Sequence, residues 1–577
     1  MLALVCSTLI GFVQTADVTV ELPEAIVFRP TMKEFENPMK YIASIVDKAT
    51  PYGIAKIIPP LGWKSPCGLG QESRDKSFFT RKQSLHKLTQ GEPFPDGRSY
   101  VLSEYQKMAD DFKRQFPELS TSPDNLTAAR HEQGLADSAP RSSFEILASR
   151  AEKVYWDAVE NGRRDITVEY GNDQDTETYG SGFLKRQIQL EHEATQRKVG
   201  VGGNQGTTLE ARDYAVVGHK NRGTVEENEL SSGLKSSLLP DFANREYYRE
   251  CGWNLNNMPH LPSSLLRLVP EAVGGINVPW LYMGMLFSTF CWHVEDNYLY
   301  SINYMHHGEA KLWYGVSGDQ AEAFESLMKR HLHGKFKSEP DLLFHLTTMI
   351  SPATLARSGV QAVRTVQHPG EFIITMPRAY HGGFSLGFNI AEACNFALAQ
   401  WIPWGRKAVD VYRSAAVPRP AVFCHEKLML DLARFATSDR SEFSAVDLRI
   451  ILAEVQQILR LEVRDRKRLE ADGFVEGTRF YVRNDGDARH ECIKCRRACY
   501  LSAVLCKGCG SKQMCCPRHH RSLCGCAPGM RGKLLLYWHT AKSISELAEG
   551  LRMKVDAVSS GAASPYRDQV TPPQAAM

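Results

Sequence analysis

The distribution of apolar residues predicts a series of short β-strands in the middle of the chain. Four segments there are rich in aromatic and β-branched residues and are bounded by glycine or proline, which is typical of strands. They span residues 279–287, 300–304, 310–315 and 370–377. Residues 318–348, between the third and the fourth, have the pattern of a helix. Short strands of this kind commonly close around a small-molecule pocket, so we expect an α+β chain with a β-barrel or sandwich at its centre.

Helical periodicity marks the flanking regions. Further helices are predicted over residues 100–116, 143–160 and 544–553. In the segment 445–469, apolar side chains recur at helical spacing, at Leu448, Ile451, Leu452, Val455, Ile458 and Leu459. The domain division that follows has a helical linker over 67–165 and a helical domain over 403–485.

Other segments lack such a pattern. Residues 196–240 are poor in large apolar residues, which predicts an exposed insertion or a mobile loop. The tail, residues 556–577, is expected to be disordered. Residues 1–13 are apolar like a signal-peptide core, but they lack a basic start and a clear cleavage site. For the N-terminal segment 1–23 we expect either a buried strand or a wrongly chosen start codon.

Composition narrows the class of protein only a little. The 577 residues allow three or four domains, and a hydrophobic content of 43% is ample for their cores. A net charge of +3 is too mild to argue for nucleic-acid binding, and no apolar run is long enough to span a bilayer. The basic run at 464–468 is compatible with a DNA contact or a nuclear signal, but we favour the solvated face of a helix.

The cysteines indicate a second kind of site. Of the 15 cysteines in the chain, nine fall between Cys492 and Cys526. Two Cys-x-x-Cys pairs followed by further cysteines and histidines are typical of structural zinc sites. The alternative is a disulfide-bonded extracellular domain, which is the weaker interpretation in a large chain that is otherwise poor in cysteine.

Candidate catalytic chemistry lies among the predicted strands. His293 and Glu295 are two residues apart, so on a strand their side chains point to the same face. A third imidazole, from His381, would complete a set of two histidines and one carboxylate. That set binds Fe(II) and leaves the opposite coordination positions open for a cosubstrate and oxygen. Such a trio also arises by chance, so the surrounding sequence decides how strongly it indicates a metal site.

A lysine on a neighbouring strand suggests what the cosubstrate could be. Alternation places Ser301 and Asn303 on one strand face, and Lys311 on the strand that follows. A buried ammonium requires an acidic partner. A dicarboxylate with one end on the metal and the other on Lys311 would provide one. The alternative, favoured by composition alone, is an ordinary surface lysine.

Longer segments carry a resemblance to a known family. Residues 280–296, 300–315, 375–384 and 387–396 closely resemble the JmjC domain of histone lysine demethylases. Residues 26–38 and 52–60 resemble the JmjN element that accompanies it, and the cysteine cluster resembles the C5HC2 zinc finger of JARID-type demethylases. The order JmjN, JmjC, C5HC2 is most similar to compact plant relatives. A single cysteine, Cys67, in the linker leaves no ligand set for a PHD finger, and the linker is too short for an ARID and a PHD finger together.

The resemblance implies a jelly-roll (double-stranded β-helix) barrel that uses Fe(II) and 2-oxoglutarate to oxidise N-methyl groups, releasing formaldehyde. It places the iron ligands at His293, Glu295 and His381. The positions that would contact 2-oxoglutarate are Tyr170, Phe290, Ser301, Asn303 and Lys311. The positions that would line the methyl-lysine pocket are Tyr282, Ala393 and Asn395; Tyr282 is alternatively a core aromatic residue and Asn395 a turn residue. The chain departs from the family pattern at Ala310, Met376 and Ser385, none of which is a predicted ligand.

For zinc, the resemblance implies two structural ions. One would be bound by Cys492, Cys495, Cys516 and His519, and the other by Cys506, Cys509, Cys524 and Cys526. Cys516 is preferred to Cys515 because it keeps the family's Cys-x-x-His step, and Cys499 is expected to be a packed thiol.

This branch of the family implies a nuclear enzyme that acts on methylated lysine 4 of the histone H3 tail, within chromatin complexes. Direct DNA binding is left open. The alternatives are a JmjC protein hydroxylase and a chromatin-binding scaffold without turnover. The expected domains are JmjN at 24–66, JmjC at 166–402, and the finger with its following helix at 486–555.

Overall fold

The computed structural model describes residues 22–120, 143–186, 245–438, 441, 443–474, 490–509, 513–528 and 532–560. The expectations for residues 1–21, for the insertion 196–240 and for the tail beyond residue 560 lie outside these ranges. None of the helices within them is long and apolar enough to cross a bilayer.

Strands form three sheets. Those before the barrel are β1 (Ile26–Phe28), β2 (Ile54–Ile57), β3 (Phe78–Ser84), β4 (Asp96–Tyr100) and β5 (Thr167–Asp175). The barrel strands are β6 (Trp280–Gly284), β7 (Thr289–His293), β8 (Tyr300–Gly308), β9 (Lys311–Val316), β10 (Val363–Gln367), β11 (Phe372–Thr375), β12 (Tyr380–Ser385) and β13 (Asn389–Phe396). The C-terminal strands are β14 (Ser502–Cys506), β15 (Met514–Cys515) and β16 (Lys533–Tyr537).

The α-helices precede, connect and follow the barrel strands. They are α1 (Met32–Phe35), α2 (Pro38–Ala49), α3 (Gln71–Asp75), α4 (Leu102–Lys113), α5 (Ser143–Trp156), α6 (Thr176–Tyr179), α7 (Arg245–Glu250), α8 (Ala321–His331), α9 (His333–Ser338), α10 (Pro352–Arg357), α11 (Ile402–Ser414), α12 (His425–Thr437), α13 (Ala445–Ala471), α14 (His520–Leu523) and α15 (Ala541–Ser559).

The barrel has the topology of a jelly roll. One sheet has the order β10-β9-β12-β7, and the other contains β11-β8-β13-β6 as consecutive neighbours. All of these pairs are antiparallel, and the chain alternates between the two sheets from β6 to β9 and again from β10 to β13. Eight strands in two antiparallel sheets of this order bring the inner faces of the two sheets together. The predicted α+β fold class with a jelly-roll barrel is confirmed.

The segment predicted to be JmjN extends the larger sheet at one edge. Strand β1 pairs in parallel with β2, and β2 pairs antiparallel with β11 of the barrel. Helix α1 begins with a capping box, in which Thr31 and Glu34 satisfy each other's backbone N–H groups. Helix α2 buries Met39, Ile42 and Ile45 in the core that it shares with the barrel. This segment and the barrel therefore form one folded body.

The prediction of a purely helical linker over 67–165 is wrong in part. Both predicted helices are present as α4 and α5, but β3 and β4 lie before them and add to the other edge of the sheet through β5. The buried positions of β3 are Phe78, Thr80 and Gln83, two of which are polar. The strand therefore lacks the apolar alternation by which a strand is recognised.

The helix predicted over 318–348 is also shorter than expected. The structure has α8, then α9, and then a 3-10 turn at Leu342–Phe344. The backbone leaves the helical conformation at Leu332, between α8 and α9. Pro340 follows α9, and proline does not favour the interior of a long helix.

The helical domain contains α11, α12 and α13. Ser444 caps α13 through a capping box with Asp447, and the predicted apolar stripe is buried at Leu448, Ile451 and Val455. Helix α15 packs into the same core through Ile544 and other apolar side chains. Helix α15 therefore packs with the helical domain, and it continues to Ser559, past residue 556, where the disordered tail was expected to begin.

Candidate active site

The predicted metal ligands converge at one end of the four-stranded sheet. Strands β7 and β12 are neighbours, and His293 lies directly opposite His381. The two ring centroids are 4.1 Å apart. Glu295 follows β7 by two residues, and its Oε1 atom lies 3.3 Å from Nε2 of His381. One ligand atom from each of the three residues lies within 4.8 Å of the others, so they could hold one metal ion.

Backbone carbonyls orient both imidazoles. Nδ1 of His293 lies 2.7 Å from the carbonyl oxygen of Cys291, and Nδ1 of His381 lies 3.0 Å from that of Ala379. A ring that donates its Nδ1–H in this way presents an unprotonated Nε2 to a metal. The departure from the family pattern at Ser385 leaves this support intact, because neither bond involves a side chain of that position.

The electrostatics also suit a cation. Burial lowers the pKa of His293 to about 4, so the ring is neutral at pH 7. Burial alone would raise the pKa of Glu295, but hydrogen bonding and charge from His381 and His293 outweigh it and lower the pKa to about 2. Asn395 donates from Nδ2 to Oε2 of Glu295 at 3.0 Å and to the Tyr300 carbonyl at 3.0 Å. The amide therefore fixes the carboxylate in its ionised form.

Lys311 projects into the same barrel. Its side chain is 2% exposed, so the alternative of a surface lysine is wrong. Nζ lies 3.4 Å from the hydroxyl of Tyr170 and 5.4 Å from the ring centroid of Phe290. Among the residues that the structure describes, no carboxylate forms an ion pair with it, and burial lowers its pKa to about 7. An ammonium in this position would be stabilised by an anionic ligand.

The larger sheet faces this group with polar side chains. Ser301 pairs in register with Asn395, and Asn303 pairs with Ala393, so all four lie on one face. Oγ of Ser301 lies 2.7 Å from Oγ1 of Thr375.

Two residues that hydrogen-bond Ser301 and Asn303 were not predicted from the sequence. Thr375 is one, and Gln367 is the other, which donates from Nε2 to Oδ1 of Asn303 at 3.1 Å. Strand alternation on β11 could have identified Thr375, but Gln367 reaches Asn303 across the barrel and carried no local signal.

Aromatic residues lie on the side of the barrel next to β5. Tyr282 and Ala393 lie on the same sheet face, and the ring of Tyr282 is 6.3 Å from that of Tyr170. A β-bulge between Gly171 and Gln174 gives Asp173 a left-handed backbone, with φ of 55°. Asp173 hydrogen-bonds the Tyr282 hydroxyl, and burial raises the pKa of this aspartate. The sequence reasoning missed Asp173, although Gly-Asn-Asp within a strand is a signal for a bulge.

Comparison with protein families identifies the domains. The JmjN domain model matches residues 26–59, the model of the JmjC domain, hydroxylase, matches residues 280–396, and the C5HC2 zinc finger model matches residues 492–547. The chain therefore contains a JmjN domain, a JmjC domain and a C5HC2 zinc finger. The resemblance predicted from the sequence is confirmed for all three segments.

Similar curated proteins come from plants. Lysine-specific demethylase JMJ703 of Oryza sativa subsp. japonica is 34% identical over 93% of this chain and 42% of its own length. Putative lysine-specific demethylase JMJ16 of Arabidopsis thaliana is 32% identical over 93% of this chain and 45% of its own length. Lysine-specific demethylase JMJ17 of Arabidopsis thaliana is 35% identical over 68% of this chain and 29% of its own length. The chain spans less than half the length of each of these relatives.

The C5HC2 finger contains two clusters of potential metal ligands. Cys492, Cys495, Cys516 and His519 form one, and Cys506, Cys509, Cys524 and Cys526 form the other. In the first cluster the Sγ atoms of Cys495 and Cys516 are 3.9 Å apart. Two thiolates at about 2.3 Å from a tetrahedral zinc ion lie about 3.8 Å from each other. The Sγ of Cys515 instead faces the carbonyl oxygen of Val504 at 3.9 Å.

The finger docks on the helical domain through buried charges. Arg497 of the finger pairs with Glu426 on α12, and Arg518 pairs with Asp465 on α13 at 2.7 Å. In the basic run 464–468, Arg464 and Arg468 pair with Asp465, and Arg466 pairs with Glu462. This run lies on a helix, as favoured from the sequence, and its charges are partly neutralised within the protein.

Proposed function

We propose that the protein is an Fe(II)- and 2-oxoglutarate-dependent histone lysine demethylase that acts on di- or trimethylated lysine 4 of histone H3. The catalytic region is the barrel with its JmjN element. The two cysteine clusters hold structural zinc ions. The protein works in the nucleus, on the histone H3 tail, and chromatin complexes recruit it.

One observation carries the proposal: the Lys311 ammonium, which has no ion-pair partner among the described residues, shares the barrel interior with the metal triad. Lys311 contacts Phe290, and Phe290 packs on Trp313 with ring centroids 4.5 Å apart. Trp313 in turn stacks near His381 at 6.2 Å. A small dicarboxylate with a metal-chelating end suits both the triad and the ammonium, and 2-oxoglutarate has that structure.

The donor set fits iron. Two imidazole nitrogens and one carboxylate form the facial set that Fe(II) oxygenases use. Bound iron, together with 2-oxoglutarate and oxygen, would supply the oxidation of an N-methyl group to a hydroxymethyl group, which leaves as formaldehyde while 2-oxoglutarate becomes succinate and carbon dioxide.

The chain's own residues bind and orient the reactants. Lys311 holds the distal carboxylate of the cosubstrate, with the Tyr170 hydroxyl beside it. Ser301 and Asn303 contribute polar contacts from the facing sheet, and their own partners fix their rotamers. Asn395 keeps Glu295 oriented. Water is excluded by the surrounding aromatic side chains, which are buried or nearly so.

The methyl-lysine would enter beside Tyr282, Ala393 and Asn395. Tyr170 and Tyr282 offer aromatic surface, which attracts a methylated ammonium by cation–π interaction. The N-methyl group is oxidised at carbon, so no nitrogen lone pair is required, and a trimethylated lysine is a suitable substrate. The names of the plant relatives support lysine demethylation, and the branch to which the domain order belongs supports lysine 4.

Mass spectrometry of methylated histone H3 peptides tests this proposal. Peptides trimethylated at lysine 4, 9, 27 or 36 are incubated with the protein, Fe(II), ascorbate and 2-oxoglutarate, with His293→Ala as the control. We expect stepwise methyl loss from the lysine 4 peptide alone, abolished in the control. Loss from another peptide would overturn the target lysine but keep the chemistry. Hydroxylation without methyl loss would favour a protein hydroxylase instead.

A further inference from the structure

The metal ligand Glu295 begins a turn with an unfavourable backbone. The two residues in its middle, Asn297 and Tyr298, have φ angles of 50° and 52°. Both are almost fully buried, and neither is glycine. Asparagine tolerates left-handed backbone, but for a bulky residue such as Tyr298 it is costly and persists only where the surroundings enforce it. The position of Glu295 therefore depends on whatever holds this turn.

The turn is held mainly from outside the barrel. The Asn297 N–H donates to the hydroxyl oxygen of Tyr412 at 2.8 Å, and the indole Nε1–H of Trp401 donates to the Asn297 carbonyl at 2.9 Å. The Val422 N–H donates to Oδ1 of Asn297 at 3.4 Å. Tyr412 belongs to α11, Trp401 immediately precedes that helix, and Val422 follows it. All three lie beyond the residues matched by the JmjC domain.

Tyr412 hydrogen-bonds two consecutive residues of the turn, Asp296 and Asn297. Its hydroxyl accepts from Asn297, and the same hydroxyl hydrogen-bonds the carboxylate of Asp296, where the bond works against the rise in pKa that burial causes. Arg419 pairs with that carboxylate at 3.0 Å and stacks on the Tyr412 ring at 5.0 Å. Asp296 is the neighbour of Glu295, so Tyr412 fixes the backbone on the C-terminal side of the ligand.

The same turn connects to the other ligand-bearing loop. The Arg378 guanidinium lies over the Tyr298 ring, 5.6 Å from its centroid. Arg378 is itself left-handed, with φ of 59°, and precedes Ala379, whose carbonyl oxygen orients His381. A displacement of the turn would therefore disturb two of the three ligands.

We infer that Tyr412 is a positioning residue for the metal centre, and that the helical domain is consequently part of the machinery that sets metal affinity. The hydroxyl acts through the Asn297 turn on Glu295 without touching the metal. The inference rests on the proposed assignment of Glu295 as a ligand. Groups that orient metal ligands commonly change affinity about 10- to 100-fold when they are lost.

Tyr412→Phe tests the inference, with Tyr248→Phe as the matched control. Tyr248 is also a buried tyrosine whose hydroxyl accepts a backbone N–H, from Lys64 at 3.2 Å, but it packs beside the JmjN element. Co(II) is titrated into the zinc-loaded full chain without oxygen, and His293→Ala defines the signal from this site. Dissociation constants, the visible Co(II) spectrum and the melting temperature Tm are measured for every variant.

We expect about ten-fold weaker Co(II) binding and an altered Co(II) spectrum in Tyr412→Phe, and neither change in Tyr248→Phe. Equal affinity in the wild type and Tyr412→Phe would overturn the inference, as would equal weakening in both tyrosine variants. Binding by the wild type that His293→Ala does not reduce would instead refute the metal assignment of the proposed function, and the inference with it.

A second variant covers the case in which Tyr412→Phe does not fold. Asn297→Gly keeps the backbone groups that Tyr412 and Trp401 bond, and glycine adopts the left-handed backbone without strain. It removes the side-chain amide whose Oδ1 accepts from the Val422 N–H, and it makes the backbone at position 297 more flexible. We expect about three-fold weaker Co(II) binding with an unchanged Tm, because the loosened turn holds Glu295 less firmly. Unchanged binding would contradict the claim that this turn positions Glu295, and the role of Tyr412 depends on that claim.

Discussion

The ammonium of Lys311 lies 3.4 Å from the hydroxyl of Tyr170, deep in the barrel, and no carboxylate pairs with it among the residues that the structure describes. Without a ligand, the folded protein bears the cost of burying this charge. A bound dicarboxylate would remove that cost. Binding and stability should therefore respond in opposite directions when the charge is removed.

Replacing the lysine tests that relationship. Lys311→Met keeps most of the side-chain volume and removes the charge, so the cosubstrate-free protein should be stabilised, on the order of 1 kcal/mol or more. For a domain of this size, that corresponds to a rise in Tm of roughly 2–4 °C. The dissociation constant for 2-oxoglutarate should increase at least about 100-fold, the loss expected for a charge-assisted contact. Calorimetry with Mn(II) in place of iron measures both, and weaker stability together with unchanged binding would contradict the assignment.

The affinity for 2-oxoglutarate should depend on pH. Burial lowers the pKa of Lys311 from 10.5 to about 7, so the side chain of the free protein is charged below about pH 7 and becomes neutral above it. Binding the dianion above that pH requires uptake of one proton. The dissociation constant should then rise by up to about ten-fold per pH unit between pH 7 and 9. Titration in two buffers of different ionisation enthalpy measures the proton directly, and Lys311→Arg, whose charge is permanent, should show no such slope.

The adjacent cysteines of the finger make a matched pair. Sγ of Cys516 lies 3.2 Å from Nδ1 of His519, whereas Sγ of Cys515 faces a backbone carbonyl. Cys516→Ser should lose one zinc ion per chain and unfold the first cluster, while Cys515→Ser should retain both ions. Zinc content by elemental analysis after dialysis decides between them. Loss of zinc only from Cys515→Ser would reverse the ligand assignment.

Docking of the finger should depend on the Glu426 carboxylate. Glu426→Gln would leave the largely buried Arg497 guanidinium, whose side chain is 16% exposed, beside a neutral amide. Breaking a buried pair costs about 3–5 kcal/mol, so we expect a loss toward the lower end of that range. Asp431→Asn on the same helix removes a more exposed carboxylate, which pairs with Lys427 and Arg434, and should cost less than about 1 kcal/mol. Hydrogen exchange in β14 and β16 should increase in the first variant only. Equal exchange in the two variants would mean that the ion pair does not secure the finger.

Local patterns predicted the elements that have strong periodicity. The apolar stripe from Leu448 to Ile458 marked α13, and aromatic alternation marked the barrel strands. Strand β3 was not predicted because Thr80 and Gln83 place polar side chains at buried positions. These side chains bond to partners far along the chain, Thr80 to Glu169 and Gln83 to Thr289. Partners that lie 89 and 206 positions away leave no local trace.

The site divides in the same way. His293, Glu295 and His381 occupy motif positions, so the sequence alone placed them. Asn297 and Tyr412 are 115 positions apart, and only the packing of α11 against the barrel brings them together. Supporting residues of this kind belong to tertiary structure, and a single sequence does not display them.

The ratio of formaldehyde released to succinate formed tests the central claim most directly. Formaldehyde and succinate are quantified together while the wild-type protein acts on a trimethylated lysine 4 peptide, with and without 2-oxoglutarate, and Lys311→Met and His293→Ala are measured in parallel. We expect one formaldehyde for each succinate formed in the presence of the peptide, no formaldehyde without 2-oxoglutarate, and none from His293→Ala. Formaldehyde release that persists without 2-oxoglutarate, or at an undiminished rate in His293→Ala, would contradict a catalytic centre built on this triad and Lys311.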